Sequence, residues 1–484
     1  MFWRKLVVQA DGLPGLRRHG EAGRHNSLSP RSHERALPDL GDNIKCGNSL
    51  IGTDFFTSRQ MSLTDDDEKY RVNAFDWDSE FGMTMKSGGF DTIIGNPPYG
   101  ADYTSEDKAY FKQRFDYKKG KPETYIYFLE EGIQLLKVGG LLGMITPNAW
   151  LTNYYGLQIR DIVLRGTDLL DLVDLEPTHV FQRAVVDTVV VILQKRQSGE
   201  MNNKAETNIW VGDKQKNIRF RHLARQDIWQ SDDEQIINVL TNSDELRLLE
   251  KLNETERRLS DLVDYSQGVI PYKTKADGSA NQYISDEKKG NDWIPLLENA
   301  SQVRRYDMGE PTAYIHYGPW LWCQRESKYF SQPKILFHRL RKKLPRQLVG
   351  AIDETGAVNR HSLSNLILRD ELPAVTLYAV LALFNSTLAN WWFVKRYGLL
   401  MEVGGFKVGK MPLPATWEES TTQLAELSKA MTSLHSKLRQ CRTPSEEAAI
   451  GRQIKTADSQ IDHLVYQTYG VTDEEISIIE GDPN

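Results

Sequence analysis

Short apolar runs that end at glycine or proline mark the first half of the chain. Phe90–Ile94 lies between glycines and is followed by the sequence Asn-Pro-Pro-Tyr. A helical pattern of apolar residues begins near Tyr125, and further apolar runs follow at Leu141–Asn148, Leu169–Leu175 and Val185–Leu193. Short β-branched runs bounded by turn residues predict buried strands. Their alternation with a helix predicts an α/β domain with a mainly parallel, doubly wound sheet.

The second half of the chain has a different pattern. Aromatic residues and prolines are concentrated in short runs such as Trp293–Leu296 and Pro333–Phe337, which predicts an α+β domain. Two apolar stripes with helical spacing then flank Thr443–Ser445 and predict a pair of antiparallel helices. The predicted segments are an irregular, disordered start (1–40), an α/β domain (41–200), a polar connector (201–260), an α+β domain (261–415) and a helical hairpin (416–484).

Composition narrows the functional classes. The length of 484 residues predicts two or three domains. No apolar run approaches the ~20 residues of a membrane span, and no signal peptide is evident, so we expect no membrane partner. The cysteines Cys46, Cys323 and Cys441 are too far apart for a disulfide framework or a zinc site, which favours a reducing cytoplasm and no metal. The net charge of −6 still permits one local basic groove.

The strongest chemical signal is the sequence Asn96-Pro97-Pro98-Tyr99 after the first strand. Proline has no N–H, and Pro98 keeps its predecessor extended, so the strand ends in a rigid turn where α/β sheets bind ligands. The lone pair of a nucleobase amine is delocalised into the ring. Two acceptors, the Asn96 side-chain oxygen and the Pro97 carbonyl, would return charge to that nitrogen. The ring of Tyr99 offers a flat face to a base pulled out of the duplex.

This turn and its surroundings resemble the Taq-like N6-adenine DNA methyltransferases, which include type IIG restriction–modification enzymes. The resemblance extends roughly from Asp42 to Pro414. It includes the passage Gly-Gly, apolar strand, Thr-Pro-Asn at 139–148 and the sequence Leu-Phe-Asn-Ser at 383–386, which is similar to the end of a Taq-like target-recognition domain. Glutamine methyltransferases that modify release factors share a similar motif but carry no such recognition domain, so DNA is the favoured substrate.

The resemblance implies a partial methyltransferase sheet, a target-recognition domain and a helical tail. It implies site-specific N6-methylation of adenine in double-stranded DNA with S-adenosylmethionine, in a restriction–modification or phage-defence system. Asn96–Tyr99 would hold the flipped adenine, Phe181 would stack on its other side, and Asn48 would contact the adenine of the cofactor. A core aromatic at Phe181 and an Asx turn at Asn48 are alternatives of about equal weight.

Two basic segments are candidates for DNA contact. The first is a long polar loop at 101–120, and the second is the cluster at 338–346. Lysine and arginine bind phosphate, and arginine also reads guanine. The predicted DNA-binding residues are Lys118, Lys119, Arg339, Arg341, Lys342, Lys343 and Arg346. A solvated basic surface is the alternative for both segments.

The sequence before Asn48 lacks a clear cradle for the methyl donor. Leu6–Val8 followed by Asp11, Gly12 and Gly15 is the only candidate for a strand with a Gly-rich turn, and Pro14 and the Arg/His-rich sequence after it do not favour a helix. A second hypothesis is therefore a DNA-recognition and base-binding fragment that is inactive until a separate polypeptide supplies the donor-binding half. A third is an RNA or protein amino methyltransferase, which would show no preference for duplex DNA.

Overall fold

A computed structural model describes residues 5–8, 43–57, 66–100, 102–115, 117, 123–178, 186–197, 205–272, 282–340, 346–398 and 402–481. The chain divides into two compact units, Met1–Ile237 and Asn238–Asn484. The elements of the first unit are β1 (Lys5–Val8), β2 (Ile44–Gly47), α1 (Asp54–Thr57), α2 (Asp66–Val72), α3 (Trp77–Glu80), α4 (Gly82–Lys86), β3 (Phe90–Gly95), α5 (Ser105–Phe115), α6 (Thr124–Leu135), β4 (Leu136–Pro147), α7 (Leu157–Gly166), β5 (Thr167–Asp174), β6 (Thr188–Lys195), β7 (Glu206–Gly212), β8 (Ile218–Arg225) and α8 (Gln226–Ser231).

The main sheet of the first unit has the strand order β3-β4-β6-β5-β7-β8. The pairs β3–β4 and β5–β7 are parallel, whereas β6 is antiparallel to both of its neighbours and β8 is antiparallel to β7. The prediction of a mainly parallel sheet is therefore wrong. β5 and β6 follow one another in the chain and pair antiparallel, whereas a parallel pair would need a connection that crosses back along the sheet.

The strand β3 is more exposed than predicted. It lies at the edge of the sheet formed by the described residues, and Ile94 is 86% exposed on it. Val138 and Leu141 on the neighbouring β4 are exposed as well. Phe90 is buried, in an apolar cluster with Phe75, Phe81 and Leu135. The prediction of a buried strand thus holds only at its beginning, because part of its apolar surface and one edge are uncovered among the described residues.

Both ends of the first unit differ from the predicted segments. Within the segment expected to be irregular, Lys5–Val8 forms β1 and pairs antiparallel with β2 in a separate two-stranded sheet. Residues 206–231 are not a connector, since β7 and β8 extend the main sheet. Thr207 and Ile209 are fully buried, and the Thr207 hydroxyl donates to the Leu169 carbonyl at 2.7 Å. Polar residues such as this threonine concealed the alternation that marks a half-buried strand.

The turn before β3 depends on a glycine. Gly89 has φ +117°, and a Cβ built there would lie 2.3 Å from the Leu135 carbonyl oxygen. We expect Gly89→Ala to lower the free energy of unfolding by about 2–4 kcal/mol, because it combines a left-handed backbone with overpacking against main chain. Gly82→Ala is the matched control. A Cβ there meets nothing within 4 Å, so its effect should be neutral or stabilising. Urea unfolding measures both, and equal effects would contradict the expectation.

The second unit combines small sheets with buried helices. Its elements are α9 (Ser243–Asn253), β9 (Val263–Gln267), β10 (Ile284–Ser285), β11 (Trp293–Leu297), β12 (Val303–Arg304), β13 (Asp307–Met308), β14 (Ala313–His316), α10 (Lys328–Ser331), β15 (Lys334–His338), β16 (Gly350–Asp353), β17 (Val358–Asn359), β18 (Leu363–Leu368), α11 (Val375–Asn385), α12 (Thr387–Tyr397), α13 (Gly405–Gly409), α14 (Trp417–Gln440), α15 (Pro444–Thr468) and α16 (Asp473–Glu480). One sheet has the order β16-β15-β18-β9 and is fully antiparallel. Another has the order β10-β14-β11-β17, and the remaining pair is β12-β13.

The helical tail packs on its own unit. The long helices α14 and α15 form the predicted hairpin, and α16 adds a third helix after it. Thr443 caps α15 in a capping box with Glu446. Arg305 forms an ion pair with Asp458 of α15 and donates to the Asn385 carbonyl at the end of α11. These contacts make the hairpin part of the packed unit.

None of the described helices alone is long and apolar enough for a transmembrane span, and α11 and α12 reach that length and composition only when counted together as a bent pair.

Candidate active site

The Asn-Pro-Pro-Tyr turn begins where β3 ends. The Asn96 side chain is exposed, Pro97 is buried, and Pro98 and Tyr99 are half-buried. β3 and β4 are parallel, with Gly95 opposite Met144, so the turn lies beside the carboxyl end of β4. The structure therefore places the four residues at the carboxyl ends of these two parallel strands, where α/β folds bind ligands.

The hydroxyl of Tyr99 ties this turn together. Its single hydrogen is shared between two acceptors, Asn96 Oδ1 at 3.2 Å and the Ile145 carbonyl oxygen on β4 at 3.1 Å. The first contact orients the Asn96 amide, and the second anchors the tyrosine to the sheet. The Asn96 oxygen therefore points to the side of the turn that carries the tyrosine ring.

Burial raises the pKa of Tyr99 to about 12. Its ring meets the edge of Tyr125 at a centroid distance of 6.4 Å and an angle of 89°. Tyr125 is fully buried, its hydroxyl lies 3.4 Å from that of Tyr155, and burial raises its pKa far above the ordinary value for tyrosine. The Tyr99 phenol thus stays protonated, and it remains a hydrogen-bond donor to Asn96 over the whole physiological pH range.

A buried arginine that sequence reasoning missed shapes the neighbouring loop. Arg160 is 1% exposed and donates to the carbonyls of Trp150, Asn153 and Glu234. Burial lowers its pKa to about 10, so it remains charged. The signal for this role in the sequence is weak: Arg160 lies among the apolar residues of α7, on the face that is buried. The loop that it holds begins with the Thr-Pro-Asn passage, where the Trp150 indole N–H donates to Thr146 at 3.1 Å.

The predicted cofactor residue Asn48 lies in an Asx turn, since its Oδ1 accepts from the Leu50 N–H at 3.3 Å. This is the alternative that the sequence left open, and it leaves the cofactor contact a prediction. The Asn48 segment is linked to β3 through Trp77, whose indole N–H donates to the Ser49 carbonyl at 3.2 Å. The Trp77 ring packs edge-on against Phe90 at 5.8 Å.

The segment predicted to be a long basic loop after the turn is mainly helical. α5 occupies most of it, with Phe111 and Phe115 buried. Arg114 forms a bidentate ion pair with Glu131, at 2.8 and 2.9 Å, which fixes α5 against α6. The aromatic residues along this segment recur at helical spacing, which is the signal that distinguishes a packed helix from a loop. The predicted DNA-binding residues Lys118 and Lys119 lie outside the described residues, as does Phe181.

The second basic segment, 338–346, lies only partly within the described residues. Arg341, Lys342 and Lys343 lie outside the described residues. Arg339 pairs with Glu402 at 2.7 Å, and its side chain is 19% exposed. Arg346 donates to the Asn385 carbonyl at 2.8 Å, next to Arg305 in the contacts that hold the tail. Both arginines thus have structural partners, and their contact with DNA stays a prediction.

In the part of the chain that the structure describes, no group of three or more His, Cys, Asp or Glu side chains could hold a metal ion. The three cysteines are unpaired thiols.

Two family models match the chain. Residues 23–181 match the Eco57I restriction-modification methylase, and residues 295–413 match the TaqI-like C-terminal specificity domain. A Methanocaldococcus jannaschii protein assigned as a type II restriction enzyme and methyltransferase is 25% identical over 69% of this chain and 28% of its own length. RM.Eco57I of Escherichia coli is 27% identical over 33% of this chain and 15% of its own length. The chain therefore spans less than a third of these relatives.

Other curated relatives match shorter parts of the chain. The type II methyltransferase M.BanIII of Aneurinibacillus aneurinilyticus is 34% identical over 22% of this chain and 19% of its own length. Among solved structures, the type IIL restriction-modification enzyme MmeI superposes with a TM-score of 0.54 at 11% identity, over 84% of this chain and 57% of that chain. This likeness supports the shared fold. The predicted fold class and family resemblance are confirmed: the chain joins an Eco57I restriction-modification methylase domain to a TaqI-like C-terminal specificity domain, and its curated homologues are type II restriction–modification methyltransferases.

Proposed function

We propose that the chain methylates the N6 amine of adenine in double-stranded DNA, with S-adenosylmethionine as donor, as part of a restriction–modification or phage-defence system. The observation that carries this proposal is the turn at the end of β3. There the Asn96 oxygen is held by the Tyr99 hydroxyl, which is itself anchored to the Ile145 carbonyl. This geometry presents a fixed acceptor beside an aromatic ring, the two features that a flipped adenine needs.

The residues of the turn would act on the adenine by hydrogen bonding and stacking. Asn96 Oδ1 and the Pro97 carbonyl accept the two N–H bonds of the amine, which localises its lone pair on nitrogen. The Tyr99 ring holds the base plane. Bound S-adenosylmethionine would supply an electrophilic methyl group on a sulfonium sulfur. N6 would bond to the methyl carbon as the carbon–sulfur bond breaks, with the bonding pair left on sulfur as a neutral thioether. N6 would also lose one proton, which passes to water because both acceptors are neutral groups of very low basicity.

The fit to the donor is weaker than the fit to the adenine. Asn48 is the predicted donor contact, and its Oδ1 is already bonded to Leu50. Its amide nitrogen is therefore the group with which it would bind. Among the described residues, no strand pairs with the free edge of β3, so none brings a Gly-rich turn for the donor next to Asn96. Phe181 and the basic residues at 118–119 and 341–343 remain proposed contacts to the base and to DNA.

The role of the Tyr99 hydroxyl can be tested separately from the role of the Tyr99 ring. Tyr99→Phe keeps the ring but loses the bond that orients Asn96, so we expect kcat to fall about 10-fold with unchanged DNA affinity. Tyr99→Ala also loses stacking, worth about 1–3 kcal/mol, and should weaken binding of the flipped base. Because the pKa of Tyr99 is about 12, the wild-type rate should show no alkaline loss from this group up to about pH 11. An unchanged kcat in Tyr99→Phe would remove the positioning role.

A second candidate function is favoured by the edge of β3, with which no strand of the described residues pairs. The chain would recognise DNA and hold the base, while a separate polypeptide completes the sheet at β3 and binds the donor. The 86% exposure of Ile94 on this edge is the observation behind it. Parallel addition of a strand would pair with this edge, which no strand among the described residues does.

Calorimetric titration of S-adenosylmethionine into the chain, followed by transfer of a labelled methyl group to unmethylated duplex DNA, separates the two candidates. The first predicts a dissociation constant of about micromolar or below and label in the DNA. Absence of both binding and label would reject it in favour of the second candidate. Label in RNA or protein but not in duplex DNA would reject both.

A further inference from the structure

We propose that Arg325 reads a base edge of the target duplex, on a surface of the second unit that it shares with Arg360. This inference rests on one part of the proposed function, namely that the second unit binds DNA. The predicted basic cluster at 338–346 lies elsewhere in sequence. The residues of the new surface are separated along the chain and become neighbours through pairing.

Three chain segments build this surface. Ile270 forms an antiparallel bridge with Cys323, and Val269 forms a parallel bridge with Arg360. Gly268 allows the approach, because a Cβ there would lie 2.3 Å from the Arg360 carbonyl oxygen. Arg325 and Arg360 are thereby brought to opposite sides of the same strand-like segment.

The backbone of Arg325 is in a conformation that few residues adopt. Its φ is +74°, in the left-handed region. The Tyr317 hydroxyl donates to the Arg325 carbonyl at 2.7 Å and holds this turn. A bulky residue costs about 1–3 kcal/mol in this region, and such residues are concentrated at binding and catalytic sites. Asparagine or glycine adopts this conformation at a lower cost. The presence of arginine here therefore indicates a function of its side chain other than stabilising the fold.

The guanidinium of Arg325 is oriented by its neighbours. Nε lies 3.4 Å from the Gly268 carbonyl, and Nη2 donates to Gln267 Oε1 at 3.3 Å. Within the described residues, no acceptor is bonded to its Nη1. The two terminal nitrogens, Nη1 and Nη2, thus still carry N–H groups that can donate to a ligand. The contacts of Nε and Nη2 meanwhile fix the plane of the guanidinium. Bidentate contact to guanine O6 and N7 requires this geometry.

The surroundings add positive charge. Arg360 donates to the Tyr272 hydroxyl at 3.1 Å, and its guanidinium carbon lies 5.8 Å from the centre of that ring. Arg339 donates to the His361 carbonyl at 3.3 Å, although Glu402 pairs with it. Burial and the charges of Arg360, Arg339 and Arg325 lower the pKa of His361, the residue next to Arg360 in the chain. Such a cluster attracts the electronegative edge of guanine and the phosphates around it.

Selection of bound duplexes from a random-sequence library tests the proposal without requiring methyl transfer. Arg325→Gly removes the side chain and suits the left-handed backbone, so the fold should be retained, which thermal unfolding checks. Arg325→Lys keeps the charge but has no fork. Arg369→Ala is the matched control: it pairs with Asp264 at 3.3 Å, at the opposite end of the β9–β18 pair, roughly 15 Å from Gln267.

The wild-type chain should enrich a motif that contains a guanine. Both Arg325 variants should lose the preference at that guanine, with affinity for the selected duplex reduced about 10- to 100-fold. Affinity for unrelated duplex should change by less than about 2-fold in Arg325→Lys, and Arg369→Ala should keep the motif. An unchanged motif in the Arg325 variants, equal loss on both duplexes, or no motif from the wild type would each overturn the inference. Failure of methyl transfer would count against the proposed function alone.

Discussion

Asn96→Ala should reduce methyl transfer to adenine by at least about 100- to 1000-fold, the usual loss when one fixed polar group that stabilises a transition state is removed. The alanine methyl group cannot accept the N6 N–H, so the lone pair of the amine stays delocalised into the ring. The Tyr99 hydroxyl would keep its bond to the Ile145 carbonyl, so the turn should remain in place. Initial rates with saturating donor and duplex measure this effect.

Two comparisons distinguish a chemical effect from a structural one. Affinity for duplex DNA should be nearly unchanged in Asn96→Ala, because the Asn96 side chain is exposed and lies outside the packed core. Asn96→Asp keeps an oxygen at the acceptor position and should retain far more activity than alanine. If alanine and aspartate variants are equally inactive and both bind DNA weakly, the residue supports the fold and the acceptor role is wrong.

Lys334→Met should lower the free energy of unfolding by about 3–5 kcal/mol, because it leaves a buried carboxylate without its cation. The Lys334 ammonium and Asp353 Oδ2 are 2.5 Å apart, between adjacent strands, and both side chains are fully buried. The other oxygen, Oδ1, accepts from the backbone and hydroxyl of Thr355 at 2.8 and 2.7 Å. Burial lowers the pKa of Lys334. Chemical denaturation monitored by circular dichroism measures the loss.

The double variant Lys334→Met/Asp353→Leu is the control. Replacing both charges by apolar groups of similar volume removes the need to desolvate an ion, so most of the lost stability should return. Arg247→Met removes a cation from an exposed pair with Asp244 and should cost less than about 1 kcal/mol. If the double variant is no more stable than Lys334→Met, the cost arises from packing rather than from the unpaired charge.

Local patterns in the sequence predicted the parts of the fold that depend on local interactions. The strand at Phe90, the turn at Asn96–Tyr99, the helix α6 and the helical hairpin all have a period or a turn signal within a few residues. The direction of β6 has no such signal, since it depends on pairing with β4 and β5, which are distant in sequence or joined to it by a long link. The edge exposure of Ile94 depends on which strands are neighbours, which periodicity does not encode.

The candidate site likewise combines features that depend on consecutive residues with contacts between distant ones. The residue types of the turn were evident from four consecutive letters, whereas the bond from Tyr99 to Ile145 joins residues 46 positions apart. The buried Arg160 could not be recognised as a scaffold for the Trp150 loop, because an arginine in a helix is ordinarily at the surface. Basic residues were sought where they are dense in sequence, at 338–346. Arg325 and Arg360 are isolated in sequence, and only the bridges of Val269 and Ile270 bring their segments to the two sides of one strand-like segment.

Mass spectrometry of nucleosides from duplex DNA that has been incubated with the chain and S-adenosylmethionine tests the central claim most directly. The account predicts N6-methyladenine with the wild-type chain and at least about 100-fold less with Asn96→Ala. Methylation of cytosine instead of adenine, or equal amounts of N6-methyladenine from the wild type and Asn96→Ala, would contradict it.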